Sequence, residues 1–157
     1  MAQILGQYDG KRFCNVVSED LGLDSDEEKA KADEALAANR ELLDFVKENA
    51  GDRVASVKIS RKLKNHAVCL SSEGEITLEM EKYFHSIPGA DPNAMKAVRV
   101  LELNLDHPAV KKLAQARTAD PERAAAMAKV LLCQAELAAG ILPEDPAAYG
   151  DLVCSLF

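Results

Sequence analysis

GDRVASVKIS, residues 51–60, is where the hydrophobic period of this chain changes. Ala55, Val57 and Ile59 alternate with Ser56, Lys58 and Ser60, the two-residue period of a strand with one buried face. Upstream of Gly51 the period is helical: Ala32, Ala35, Leu36, Leu42, Leu43 and Val46 recur at steps of three and four. Ser25-Asp26-Glu27-Glu28 supplies the S-x-x-E box in which a serine hydroxyl and a glutamate carboxylate satisfy the free N–H groups of a helix start. Asp26, Glu27, Glu28, Asp33 and Glu34 put acid at the positive end of that helix. Further upstream, Lys11 to Val17 reads as one short strand after a turn at Asp9-Gly10, with no pairing neighbour in view.

Downstream, two more strands are expected, at Ala67 to Leu70 and at Val98 to Leu105, where Leu101, Leu103 and Leu105 alternate with Glu102, Asn104 and Asp106. Between them a helix is expected from Glu75 to Ile87, ended by Pro88-Gly89. At 100° per residue, Ile76, Met80, Tyr83, Phe84 and Ile87 fall within about 100° of one another, a narrow and bulky apolar stripe. Loop-like Ser71-Ser72-Glu73-Gly74 and Pro88-Gly89-Ala90-Asp91-Pro92 flank it. Two readings of the stripe stand side by side: a piece of core, or an adaptable surface of methionine and aromatics that receives apolar partners. Three strands and these helices together read as an α+β fold, a small three-stranded sheet packed with helices.

The last third is helical with clear punctuation. Asp106 is the expected cap of a helix to about Arg117. Asp120-Pro121 and Asp145-Pro146 each pair an N-cap with proline at the first helical position, and Gly140 is a stop. From Pro121 to Ala139 only Glu122, Lys129 and Glu136 form a polar line, and almost everything else is apolar. Tyr149, Leu152, Val153 and Leu156 add a stripe at i, i+3, i+4 and i+7. Two such helices form half of a four-helix bundle that a twofold-related copy would complete; the alternative is that they simply pack on the sheet. The candidate dimerisation residues are Met127, Val130, Leu131, Ala135, Leu137, Ala138, Tyr149, Leu152, Val153 and Leu156.

Composition narrows the chemistry. The chain has 157 residues, 48% hydrophobic and 29% charged, with a net charge of −7, which opposes general attraction to nucleic-acid phosphates or anionic lipid. The local basic run Arg53, Lys58, Arg61, Lys62 and Lys64 lacks interleaved aromatics and reads as a solvated strand face. No apolar run approaches the ~20 residues of a membrane span, and the N-terminus lacks signal-peptide order, so a cytoplasmic protein is expected. Cys14, Cys69, Cys133 and Cys154 have no metal-knuckle spacing. His66-x-x-Cys69 offers two metal ligands where zinc needs three or four, and neither His85 nor His107 belongs to a recognisable catalytic triad. Gly-rich phosphate loops are absent, so no catalytic, cofactor or metal residues are expected here.

Three ordered blocks carry a family resemblance: Gly51 to Leu63, Leu101-Glu102-Leu103-Asn104-Leu105-Asp106-His107-Pro108, and Leu131 to Gly140 followed by Asp145-Pro146. Together they resemble the C-terminal domain of the heat-shock protein 90 chaperones. Tyr8 to Phe13 is similar to the end of the family's middle domain. The resemblance implies that residues 1–24 are the tail of that middle domain and a linker, and that residues 25–157 are a homodimerisation domain, with an α/β part to residue 119 and dimerisation helices from 120. It further implies that Ile76, Met80, Tyr83, Phe84 and Ile87 contact unfolded client proteins, and that ATP and Mg belong to the parent protein rather than to these residues. The sequence departs from the family's habit at His66-Ala67-Val68, often Ser-Pro-Ala, and at Leu105, often proline. The ending Ser155-Leu156-Phe157 lacks the acidic tail of the eukaryotic cytosolic branch, so a bacterial or organellar type is expected. A free-standing α/β adaptor that binds one partner helix is the alternative.

Overall fold

The computed structural model describes residues 7–8, 11–12, 26–60, 62–88, 96–143 and 145–157, with side-chain packing from residue 37 onward. It divides into two compact units, Met1–Ala35 and Leu36–Phe157. In the first, β1 (Gln7–Tyr8) and β2 (Lys11–Arg12) pair antiparallel, Gln7 opposite Arg12 and Tyr8 opposite Lys11. The strand expected from Lys11 therefore has a neighbour, just before Asp9-Gly10, at the two-residue spacing of a tight hairpin. Residues 13–17 and the capping residue Ser25 lie outside the described residues.

Helix α1 spans Asp26–Ala50, and in the second unit it buries Leu42, Leu43, Val46 and Ala50, the face its spacing foretells. It ends where Gly51 takes a φ of 59°, a left-handed conformation that costs glycine little. The Lys47 ammonium donates to the carbonyls of Gly51 at 2.7 Å and Val54 at 2.6 Å, occupying acceptors left free at the helix end. A 3₁₀ turn, Gly51–Arg53, then leads into the sheet.

The sheet contains β3 (Ser56–Ile59), β4 (Val68–Glu73) and β5 (Val98–Leu103) in the order β3-β5-β4. It is mixed: β3 runs parallel to β5, Ser56 opposite Val100, while β4 runs antiparallel, Val68 opposite Leu103 and Glu73 opposite Val98. Ser71-Ser72-Glu73, expected as loop, is strand because its backbone pairs with Val100, Arg99 and Val98; ladder pairing overrides polar composition. The third strand ends at Leu103, two residues short of expectation. There the Asn104 side chain donates to the His66 carbonyl at 3.1 Å and accepts from the Asp106 N–H at 3.0 Å, which turns the chain. In the central strand β5, Leu103 and the consecutive residues Val100 and Leu101 are buried, so both faces are covered there and the alternation is blurred.

Helix α2 spans Leu78–His85, α3 Pro108–Ala119, α4 Pro121–Ala138 and α5 Pro146–Cys154. The cap of α3 is His107, not Asp106: His107 Nδ1 accepts from the Ala109 N–H at 3.2 Å, and Pro108 takes the first helical position. Asp120 caps α4 through the Arg123 N–H at 3.0 Å. Asp145 caps α5 through the N–H groups of Ala147 and Ala148, both at 3.0 Å.

One core joins these elements. Ala124, Ala128, Leu131, Leu132 and Ala135 of α4 pack with Leu42 and Val46 of α1, Leu70 of β4, Leu101 and Leu103 of β5, and Val110 and Leu113 of α3. Leu101, Leu103, Leu113 and Leu132 are wholly buried, each contributing roughly 1.5–3 kcal/mol of apolar burial. Helix α5 adds no fully buried residue.

Candidate functional site

Helix α2 has an unusual division of faces. It is shorter than its apolar pattern suggests, because Thr77 Oγ1 accepts from the Met80 N–H at 3.2 Å and caps it there. Glu75 and Ile76 precede the helix and Ile87 follows it. Leu78 packs against the core, and beside it the inward residue is Glu81, 3% exposed. Met80, Tyr83 and Ile87 are 40%, 67% and 39% exposed. Ile76 and Phe84 are half-buried at the edge of this row, and the Phe84 ring meets Tyr83 edge-on with centroids 6.2 Å apart. Three of the five stripe residues therefore face solvent while a carboxylate faces in.

That carboxylate is held by three donors. Glu81 Oε1 accepts from Arg99 Nη2 at 2.9 Å, and Oε2 accepts from Arg99 Nε at 3.5 Å and from the Ala97 N–H at 3.4 Å. Arg99 also lies 3.9 Å from Glu136 of α4, itself 2% exposed. Glu136 in turn pairs with Arg53, whose Nε donates at 3.1 Å and whose Nη2 meets the other oxygen; the same guanidinium touches Cys133 Sγ at 3.6 Å. A row of alternating charge, Glu81–Arg99–Glu136–Arg53, thus runs from α2 through β5 and α4 to the 3₁₀ turn.

Sequence reasoning missed this row. The sequence places Arg53 in a solvated basic run and Glu136 in a polar line with Glu122 and Lys129, whereas in the structure Arg53 turns towards α4 and Glu136 is buried. Of the basic run, Lys58 pairs with Glu73 on the sheet surface, while Arg53 turns inward. Glu136 lies within about 40° of exposed Glu122 and Lys129 around the helix, and what buries it at that end of α4 is the approach of Arg53 and Arg99 from other segments. The available signal was a lone Glu surrounded by apolar residues in Leu131 to Ala139.

The candidate dimerisation residues separate into two groups. Leu131 and Ala135 belong to the chain's own core and Val130 is buried beside them, with Met127 packed against that core. Leu137 and Ala138 are exposed, Tyr149, Leu152 and Val153 are half-buried on α5, and Leu156 is half-buried in the turn just after it. The apolar surplus inferred for α4 is thus largely covered by β4, β5 and α3, and the unmet apolar surface lies on α5 and the end of α4.

No group of three metal-ligating side chains occurs among the described residues. His66 is exposed and Cys69 half-buried. Burial first, and then the charge of Glu102, push the Cys69 thiol up to about 11. At pH 8 its thiolate fraction is then about one in a thousand, and the thiolate is the reactive form. Alkylation followed by peptide mass mapping is expected to label exposed Cys154 at pH 8 and to leave Cys69 unlabelled until the pH passes about 10. Equal labelling rates at pH 8 would contradict this environment for Cys69.

The Hsp90 protein family model matches residues 1–157. This chain belongs to the Hsp90 family. Its curated relatives include proteins named chaperone protein HtpG from Bacillus subtilis (strain 168), 35% identical, and from Clostridium perfringens (strain ATCC 13124), 38% identical. A third, from Natranaerobius thermophilus, is 36% identical; each match covers 98% of this chain and 24% of the relative. The chain thus spans about a quarter of the length of those Hsp90-family chaperones. Among the described residues, no helix of this Hsp90-family chain is long and apolar enough to cross a membrane.

Proposed function

We propose that this chain is the homodimerisation and client-contact module of an ATP-dependent cytoplasmic chaperone. The observation that carries the client reading is the exposure of Met80 and Tyr83 on a helix whose inward face holds Glu81, and of Ile87 just after it. Exposed methionine and aromatic side chains suit partners of varied shape, because methionine repacks at little cost and aromatics bury large areas. The clients are unfolded or partly folded proteins; nucleic acid and membranes are not partners. ATP and Mg are bound by other parts of the parent protein, and hydrolysis is theirs. The dimer reading draws on the apolar residues of α5, with a twofold copy covering them in a four-helix bundle.

The client reading is tested by Met80→Ser with Tyr83→Ser, two exposed positions where polar substitution should move stability by under ~0.5 kcal/mol each. The double variant is expected to melt within a few degrees of the parent sequence, ~2–4 °C, and to suppress aggregation of an unfolded protein much less well. Unchanged suppression would remove Met80 and Tyr83 from the client surface.

A further inference from the structure

Helix α2 is oriented against its own hydrophobic pattern. A turn of about 100° around its axis, one residue's worth, would carry Met80 and Phe84 inward and Glu81 and Leu78 towards water, exchanging two bulky apolar side chains for one. Burial of apolar area favours that turn. What opposes it is the packing of Leu78 against the core, which the turn would undo, together with the inward carboxylate: Glu81, 3% exposed, with Arg99 Nη2 at 2.9 Å and the Ala97 N–H at 3.4 Å. A buried ion pair contributes little net stability, since desolvation offsets its attraction, but it penalises every arrangement that leaves one partner buried alone. Turning α2 would strand Arg99 beside a single carboxylate, Glu136, at 3.9 Å, and would leave the Ala97 N–H, on a buried residue, without its acceptor.

We propose that the Glu81–Arg99 pair is an orientation lock, a positioning device that keeps the apolar face of α2 turned to solvent and available to clients. The lock deepens the client-contact reading and rests on it for its consequence, but its direct effect is on exposure. Because Arg99 also approaches Glu136, the lock is anchored on α4, so the presenting helix is referenced to the helix that gives the largest share of the core.

The test uses the full chain and reads the rate of Met80 oxidation by dilute hydrogen peroxide with site-resolved mass spectrometry, Met127 serving as the internal reference. Methionine oxidation follows exposure, so Glu81→Ala and Glu81→Lys should slow Met80 sulfoxide formation by about threefold or more while Met127 is unchanged. Glu81→Gln, which keeps an acceptor oxygen for Arg99 and Ala97, should restore the native rate. A merely structural Glu81 gives the opposite sign, because a loosened or unfolded helix oxidises faster. Arg99→Gln breaks the lock from the other side and should slow Met80 in the same way, which covers a Glu81 variant that does not fold. Met80 oxidised at the native rate or faster in the Glu81→Ala and Arg99→Gln variants would overturn the lock. Failure of the client reading shows separately, as a native chain that does not suppress aggregation at all while the oxidation shift persists.

Discussion

Glu136→Ala is expected to lower stability by about 3 kcal/mol and the melting temperature by about 6–12 °C, read by circular dichroism. Glu136 is the carboxylate between two arginines, and its side chain is 3% exposed while those of Arg53 and Arg99 are 32% and 22% exposed. Removing it takes the carboxylate acceptor from Arg53, and Arg99 loses a second carboxylate while keeping Glu81 at 2.9 Å. Partial solvation of the arginines keeps the loss at the lower end of what a broken buried pair costs. Arg53→Ala should cost less, since Arg53 is a third exposed and Glu136 keeps Arg99 within 3.9 Å. A melting temperature lowered by under ~2 °C in the Glu136 variant would mean that the row contributes no net stability.

Val153→Glu with Leu156→Glu is expected to convert a dimer into monomers, raising the dissociation constant by at least about a hundredfold in sedimentation equilibrium. Val153 is half-buried on α5 and Leu156 half-buried in the turn that follows it, where a partner copy would have to seat to bury the ~1,200–2,000 Å² of a stable interface. The monomer should stay folded, because α5 contributes no fully buried residue to its own protomer. Leu131→Glu is a poor substitute: Leu131 is 5% exposed within the chain's own core, so a charge there unfolds the protomer and gives no information about the interface. A native chain that sediments as a monomer at ~100 μM, a hundred times a micromolar dissociation constant, would end the dimer reading.

Much of the fold was legible locally. Asp120-Pro121, Asp145-Pro146 and Gly140 punctuate α4 and α5 where the sequence puts them, because a cap acts on N–H groups two or three residues away. The change of period at Gly51 and the alternation through Val57 and Ile59 located β3 for the same reason. Family membership was also legible, in ordered blocks spread over residues 51–149 that the family match over residues 1–157 bears out. The apolar stripe of α2 was legible as a pattern, but its direction was not.

Direction depends on what lies across the fold. A helical period says which residues share a face; whether that face meets the core or water depends on the partner of the opposite face. For α2 that partner is Arg99, 18 positions from Glu81, and for Glu136 it is Arg53, 83 positions away. Ion pairs leave no periodic trace, since each half resembles an ordinary surface charge until the chain brings the two together in a low-dielectric interior. The same limit hid the strand character of Ser71-Ser72-Glu73, where pairing with β5 decides, and the inward side of Leu131, which β4, β5 and α3 cover. By itself the sequence determined the elements, their ends, the apolar faces and the family, all set by neighbours a few residues apart. Only the tertiary structure decided which face of α2 is buried and which charges are joined, because desolvation and pairing belong to contacts between distant segments.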